Sequence, residues 1–71
     1  MPQPTPKSAA NPIKVVLAED QTMVRGALSA LLELEADIHV IGEAANGREA
    51  HRLVTSLHPD VLVTDIANCR L

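Results

Sequence analysis

Three short apolar runs, separated by two stretches of helical spacing, organise the chain from residue 13 onward. The first run, Ile13–Ala18, is rich in β-branched residues and interrupted only by Lys14, which is typical of an interior strand covered on both faces. Apolar residues between 38 and 41 predict a second strand that ends at Gly42, and Val61–Thr64 predicts a third. All three runs are short enough for strands of a small sheet.

Two amphipathic helices are predicted between these strands. The first has an apolar stripe with helical spacing, formed by Val24, Leu28, Leu31 and Leu32, with Ala27 and Leu34 beside it. The second has the stripe Ala50, Leu53, Val54 and Leu57. It begins at a predicted capping box, in which Asn46 accepts from the Glu49 amide and the Glu49 side chain reaches back. It ends at His58-Pro59, because the residue before a proline avoids helical geometry.

The element order predicts an α/β fold, β-α-β-α-β, with right-handed crossovers and therefore a parallel sheet. In the flavodoxin-like arrangement the strand order is 2-1-3, and ligands bind at the carboxyl ends of strands one and three. Glu19 and Asp20 follow the first strand and Asp65 follows the third, so three carboxylates are expected to meet there. A dinucleotide site needs a glycine-rich first turn, whereas residues 18–21 are anionic and lack glycine. The pattern therefore favours a hard divalent cation.

Composition limits the classes of function that fit. The 71 residues suit one small domain, and with 46% hydrophobic residues and no aromatics the core must be aliphatic. A net charge of -3 argues against electrostatic binding of nucleic acid or anionic lipid. No apolar stretch is long enough to span a membrane, and Cys69, the one cysteine, has no partner for an internal disulfide. We therefore expect a cytoplasmic protein.

A change in composition near residue 12 predicts two regions. Residues 1–12 contain four prolines among polar residues, which is typical of a disordered Pro-rich tail. Residues 13–71 are predicted to form one unit. A domain of this size buries only about 60% of its unfolded surface, so its stability is expected to be marginal.

Three sequence blocks, in this order and spacing, resemble a known family. They are VLAEDQTMVR at 16–25, VIGEA with NGREA at 40–50, and PDVLVTDI at 59–66. Together they resemble the N-terminal part of the receiver domain of bacterial two-component response regulators, of the LuxR/NarL type of transcription factor. The resemblance implies a flavodoxin-like receiver fold and a role in phosphorelay signalling.

The resemblance also implies specific roles for the acidic residues. Asp65 corresponds to the aspartate that accepts a phosphoryl group from a sensor histidine kinase, so the domain is a phosphoacceptor and not an enzyme. Glu19 and Asp20 correspond to the acidic pair that binds Mg²⁺, with Asp20 the more direct ligand, and the Ala67 backbone carbonyl corresponds to a further ligand. Mg²⁺ would offset the charge of the incoming phosphoryl group. Without metal, crowding of like charges is expected to raise the pKa of one carboxyl group.

The sequence departs from the family after Asp65-Ile66, where it continues as ANCRL at 67–71. The family's switch Thr/Ser, its conserved Lys and its helix-turn-helix output domain have no counterpart here, since Lys7 and Lys14 lie upstream. The expectation is a receiver truncated after its third strand. Two alternatives remain open: a non-catalytic interaction module that associates with itself or with intact receivers through an exposed edge, or a remnant without a stable fold.

Each candidate residue also has a purely structural interpretation. Glu19 and Asp20 alone would more often cap a helix, and Asp65 alone would more often terminate a strand at a turn. The resemblance and the distant third carboxylate favour the functional interpretation. The remaining polar candidates are interpreted as solvated surface: Arg25, Arg48, Arg52, His39, His51 and His58.

Overall fold

The computed structural model describes residues 11–65 and confirms the β-α-β-α-β order. The predicted tail up to residue 10, and the positions Ala67 and Cys69, lie outside the described residues. The elements are β1 Ile13–Ala18, α1 Thr22–Glu33, β2 Ile38–Ala44, α2 Gly47–Leu57 and β3 Val61–Thr64. The strands are parallel in the order β2-β1-β3, as the flavodoxin-like arrangement requires. Within residues 11–65, no helix is long and apolar enough to cross a membrane.

The central strand β1 forms the core of the molecule. It pairs with β2 on one side and β3 on the other, and its residues from Val15 to Ala18 are all buried. Ala18 packs with Ala44 of β2 and Ala50 of α2, with Leu53 and Leu62 against them. The small side chains of the three alanines let α2 approach the carboxyl end of the sheet closely. This buried cluster therefore lies beside Glu19, the residue that follows Ala18.

The prediction that Gly42 ends β2 is wrong, because the strand continues to Ala44. The pairing shifts at this point, since Val15 faces Val40 whereas Val16 faces Gly42, which leaves Ile41 as the extra residue of a bulge. A Cβ at Gly42 would lie 3.2 Å from Leu57 Cδ1 and 3.3 Å from Leu53 Cδ1. Gly42 therefore makes room for α2 on the sheet and does not act as a strand terminator.

Helix α1 is less buried than its apolar stripe predicts. None of its residues is buried, and Leu31 and the C-cap residue Leu34 are 61% and 77% exposed. The apolar stripe of α1 is wider than the surface that it packs against, which among the described elements is formed by β2 and β1. Gln21 is the N-cap and makes no side-chain capping bond, so neither Glu19 nor Asp20 occupies the capping position.

Helix α2 begins and ends where the sequence predicts. Asn46 is the N-cap and its Oδ1 accepts from the Glu49 amide at 2.8 Å. The Glu49 side chain reaches back as predicted, and its Oε1 accepts from the Ala45 amide at 3.1 Å. His58 ends the helix in the left-handed region, with φ 51° and ψ 58°, immediately before Pro59. This turn directs the chain into β3.

Strand β3 is bonded to β1 at both of its ends. At its start, Asp60 Oδ2 accepts from the Lys14 amide at 2.9 Å, and the Asp60 amide donates to the Lys14 carbonyl at 2.8 Å. At its end, the Asp65 amide donates to the Ala18 carbonyl at 2.9 Å. These bonds fix the register of β3 and therefore the place at which Asp65 emerges.

Candidate functional site

The three acidic candidates lie where β1 and β3 end. Glu19 and Asp20 follow β1 directly, and the Glu19 amide donates to the Ala44 carbonyl at the end of β2 at 2.9 Å. Asp65 follows β3 and is bonded to Ala18, the residue before Glu19. The topology thus brings Asp20 and Asp65, which are 45 positions apart in sequence, to one edge of the sheet, as the predicted strand order requires.

The carboxylates differ in exposure. Glu19 is only 3% exposed, whereas Asp20 and Asp65 are exposed to solvent. Glu19 Oε2 accepts from the Gln21 amide at 3.4 Å, a long contact within the turn that leads into α1. An exposed Asp65 beside a covered Glu19 leaves one carboxylate accessible to a large partner and another sheltered from water.

The environment of Glu19 raises the pKa of its carboxyl group above the ordinary value of 4.5. The main cause is a hydrogen bond with the Asp20 side chain, which favours the protonated form. Burial and the charge of Asp65 raise the pKa further, while the amides of Gln21 and Asp20 oppose the shift. The crowding of carboxylates therefore acts in the direction expected from sequence.

The donor chemistry of these residues suits a magnesium ion. Carboxylate oxygens are hard ligands that Mg²⁺ prefers, and it commonly binds through one or two of them with water completing the shell. A divalent cation would offset the charge of Asp65, which is one of the causes that raise the pKa of Glu19. No three acidic, His or Cys side chains within residues 11–65 form a ready-made metal cage, and Ala67 lies outside that range. The fit to Mg²⁺ therefore rests on the chemistry of the carboxylate donors.

Arg25 was interpreted from sequence as solvated surface, and this interpretation is wrong. Its side chain is 19% exposed, and Nη1 donates to the Glu19 carbonyl at 2.8 Å. Its Nε lies 3.7 Å from Glu43 Oε1. A cation near a helix N-terminus is unfavourable because it opposes the helix dipole. The position of Arg25 early in α1 therefore indicated that its side chain has a specific partner.

The other basic candidates match their predicted surface role. Arg48 and Arg52 of α2 are exposed, as are His39, His51 and His58. His39 Nδ1 lies 3.4 Å from Glu33 Oε1, which also accepts from the Val40 amide at 2.9 Å. This contact joins the end of α1 to the start of β2, away from the carboxyl ends of the strands.

Comparisons with a protein-family model and with known proteins indicate the same family for this chain. The model of the response regulator receiver domain matches residues 15–67. The uncharacterized transcriptional regulatory protein YvfU of Bacillus subtilis is 52% identical over 54 residues, covering 76% of this chain and 27% of that protein. The transcriptional regulatory protein LiaR of the same organism is 50% identical over 54 residues, covering 76% and 26%.

A relative with a different name shares a segment of the same length. A protein-glutamate methylesterase/protein-glutamine glutaminase of Pseudoalteromonas translucida is 41% identical over 54 residues, covering 76% of this chain and 14% of that protein. The chain thus spans about a quarter or less of the length of these relatives. The matched range contains Glu19, Asp20, Asp65 and Ala67. The chain therefore belongs to the response regulator receiver domain family.

Proposed function

We propose that this chain is the phosphoaccepting receiver module of a two-component response regulator of the LuxR/NarL type. Asp65 accepts a phosphoryl group from a sensor histidine kinase in the cytoplasm. The observation that carries the proposal is the meeting of Asp65 with the Glu19–Asp20 pair at one edge of the sheet. The backbone bonds of Glu19 to Ala44 and of Asp65 to Ala18 support this arrangement.

Glu19, Asp20, Asp65 and the Ala67 carbonyl would hold Mg²⁺. When bound, the ion supplies positive charge that offsets the negative charge of the transferring phosphoryl group. Asp20 is exposed and therefore available as a direct ligand, whereas the more covered Glu19 lies behind it. A bound cation would oppose the rise in the pKa of Glu19, because it favours the ionised carboxylate.

The transfer uses Asp65 as a nucleophile. One carboxylate oxygen attacks phosphorus as the bond from phosphorus to the imidazole nitrogen of the kinase histidine breaks. The electron pair of that bond stays with the imidazole, and Asp65 becomes an acyl phosphate. The side chain is exposed for approach of the kinase, while its own amide is held by Ala18. The chain is thus a substrate of the kinase and not itself an enzyme.

Regulation of transcription would be carried out through an output domain outside this receiver, and two bacterial relatives are named transcriptional regulatory proteins. The receiver sequence itself carries a net charge of -3 and gives no electrostatic basis for binding DNA directly. Its role in the proposed pathway is to receive the phosphoryl group.

The proposal is tested first by phosphorylation. Incubation with acetyl phosphate and Mg²⁺ is expected to add one phosphoryl group, detected by intact-protein mass spectrometry, to the wild type and to Asp37→Asn. Asp37 is an exposed carboxylate in the turn before β2, so it is a matched control. Asp65→Asn is expected to remain unmodified. Equal modification of Asp65→Asn and the wild type would exclude Asp65 as the acceptor.

The metal site is tested separately by Mg²⁺ titration of ¹H-¹⁵N spectra. Saturable shifts are expected around Glu19, Asp20 and Asp65 in the wild type and Asp37→Asn. Asp20→Ala is expected to weaken binding strongly, since it removes the most accessible ligand. Equal Mg²⁺ affinity in Asp20→Ala and the wild type would show that this part of the proposal is wrong.

A second candidate function is an interaction module that pairs with itself or with intact receivers. It is favoured by the position of β3, which pairs on one side only within the described residues, and by exposed apolar side chains such as Val61, 45% exposed. Co-elution with an intact homologous receiver on size-exclusion chromatography is the expected result. Separate elution at concentrations well above the micromolar range would count against it.

A further inference from the structure

Arg25 connects three parts of the molecule at the edge of the acidic site. Its guanidinium donates from Nη1 to the Glu19 carbonyl at 2.8 Å and lies 3.7 Å, from Nε, from Glu43 Oε1. Ser29, one turn further along α1, donates from Oγ to Glu43 Oε2 at 3.1 Å. The Arg25 side chain thus joins α1 to the end of β2 and to the turn after β1.

We propose that Arg25 is a positioning residue that holds the peptide between Glu19 and Asp20 and thereby presents the two carboxylates as a pair to a divalent cation. This inference rests on the proposed function, since it concerns the same acidic site. Arg25 is not proposed to contact the metal or the phosphoryl group.

The backbone explains how a contact to one carbonyl places two side chains. The Glu19 carbonyl and the Asp20 amide belong to one planar peptide, so fixing that oxygen restricts the positions of the Asp20 N and Cα atoms from which its side chain extends. On the other side of Glu19, its amide is already fixed by the bond to Ala44 at 2.9 Å. Without Arg25, the Glu19–Asp20 peptide would lose the contact to its carbonyl and keep only the Ala44 bond to the preceding amide and the local contacts of the Asp20 and Gln21 amides with the Glu19 carboxylate.

Glu43 and Ser29 hold the guanidinium in place. The planar fork of arginine can address a carbonyl and a carboxylate at once, whereas the lysine ammonium is a compact point charge on a flexible stem. Glu43 pairs with Leu17 in the sheet, so its backbone position is set by the strand register. The orientation of Arg25 is therefore determined by the sheet and by α1 together.

A positioning role and a purely electrostatic role of Arg25 predict opposite changes in Mg²⁺ affinity when Arg25 is replaced, so the two can be distinguished by experiment. Removing a positive charge close to an anionic site would strengthen cation binding if long-range charge alone mattered. Removing a group that orients the ligands would weaken it, and outer-shell substitutions of this kind typically cost about 10–100-fold in metal affinity. The direction of the change in Mg²⁺ dissociation constant therefore distinguishes the two.

The experiment compares Arg25→Met with Arg52→Met, which removes the same charge from an exposed position on α2. Mg²⁺ affinity is measured by NMR titration, and thermal unfolding is measured on the same samples to establish that the titrated protein is folded. Arg25→Met is expected to raise the Mg²⁺ dissociation constant about tenfold or more, and Arg52→Met to leave it nearly unchanged. An unchanged or lower constant for folded Arg25→Met would overturn the inference.

Two further variants separate positioning from loss of fold. Arg25→Lys keeps the charge but loses the fork, and is expected to fall between the wild type and Arg25→Met. Glu43→Gln leaves the bond to Glu19 in place and weakens only the second contact of the guanidinium, so a smaller rise is expected. An Arg25→Lys affinity equal to that of the wild type would contradict the part of the inference that assigns the orientation to the planar fork of arginine.

A metal-free measurement keeps failure of the inference distinct from failure of the proposed function. If Arg25 holds the Glu19–Asp20 peptide, Arg25→Met should increase the backbone mobility of Asp20 and Gln21 in ¹⁵N relaxation without Mg²⁺, while Arg52→Met should not. Unchanged mobility in Arg25→Met would overturn the inference. Absence of saturable Mg²⁺ binding by the wild type would instead exclude the metal site of the proposed function.

Discussion

The surroundings of Glu19 make ionisation of its carboxyl group unfavourable in the folded protein. Its side chain is 3% exposed, hydrogen-bonded to Asp20 and near the charge of Asp65. These surroundings raise its pKa, which means that the ionised form is disfavoured in the folded state. A neutral residue at this position would avoid this unfavourable ionisation.

Because ionisation of Glu19 is unfavourable in the folded state, the effect of Glu19→Gln on the free energy of unfolding should depend on pH. A group whose folded pKa is raised stabilises the protein below its unfolded pKa, taken as 4.5, and that stabilisation is lost as pH rises through the folded pKa. Glutamine does not titrate, so the free energy of unfolding of Glu19→Gln relative to the wild type should increase from acidic to neutral pH. Urea unfolding without Mg²⁺, at pH values on either side of this window, measures the difference.

The matched control for this experiment is Asp37→Asn, which also removes one carboxylate but at an exposed turn position. The free energy of unfolding relative to the wild type should increase with pH more for Glu19→Gln than for Asp37→Asn. Added Mg²⁺ should stabilise the wild type more than Glu19→Gln, since a ligand that binds only the folded state stabilises it by mass action. A pH-independent difference between Glu19→Gln and the wild type would contradict the account of Glu19 given above.

Single residues were predictable from sequence to different degrees. Glu19, Asp20 and Asp65 follow apolar strands directly, so their place at one sheet edge followed from strand order. Arg25 was missed because its two acceptors, the Glu19 carbonyl and the Glu43 carboxylate, come from separate segments that only the fold brings together. A helical pattern shows which face a residue occupies, but it does not show what lies opposite.

At the scale of elements, the two helices differ in how their N-termini are satisfied. Helix α2 has a side-chain cap from Asn46 and a return bond from Glu49, whereas α1 has no capping side chain at Gln21. The Asn46 signal was visible in sequence because both partners lie within four residues of each other. The start of α1 instead depends on the acidic turn after β1.

We expect Asn46→Ala to lower the free energy of unfolding by about 1 kcal/mol, because the Glu49 amide loses its acceptor at 2.8 Å. Asn46→Asp keeps an acceptor oxygen at the same position and should remain close to the wild type. Urea unfolding followed by circular dichroism at 222 nm measures both variants. Equal stability of Asn46→Ala and Asn46→Asp would show that the cap contributes little.

Strand β2 illustrates a local signal that tertiary packing overrode. Glycine is unfavourable within strands, so Gly42 was predicted to end β2. The strand instead continues because Val16 pairs with Gly42 and because Leu53 and Leu57 of α2 occupy the space a side chain would need. The bulge at Ile41 accommodates the change in register.

At the scale of the whole molecule, the sheet has one protected strand and two edges among residues 11–65. Strand β1 is paired on both sides, while β2 and β3 each pair only with β1. An edge strand with unpaired backbone groups is a template for association with another chain. The exposure of Val61 at the start of β3 adds apolar surface to this edge.

We therefore expect concentration-dependent self-association, measured by sedimentation velocity, to decrease in Val61→Lys. A lysine at the edge keeps its stem on the strand but places a charge where a second chain would pair. Leu34→Lys is the matched comparison, since Leu34 is 77% exposed but lies at the end of α1. Loss of association in Leu34→Lys but not in Val61→Lys would place the contact on α1 and contradict an edge interaction.

The sequence by itself determined the order of elements, the parallel sheet, the bounds of β1 and β3, and the start and end of α2. These features depend on periodicity, on capping residues and on proline, all of which act within a few residues. The same short-range signals placed carboxylates at strand ends, and strand order then brought them to one edge.

Only the tertiary structure decided which of these groups is covered, how far β2 extends, and how little of α1 is buried. Those properties depend on contacts between residues distant in sequence: Ala44 with Glu19, Arg25 with Glu43, and Gly42 with Leu53 and Leu57. A pattern along one segment carries no information on the shape of the surface facing it. The burial of Glu19, and the role inferred for Arg25, therefore came from the fold.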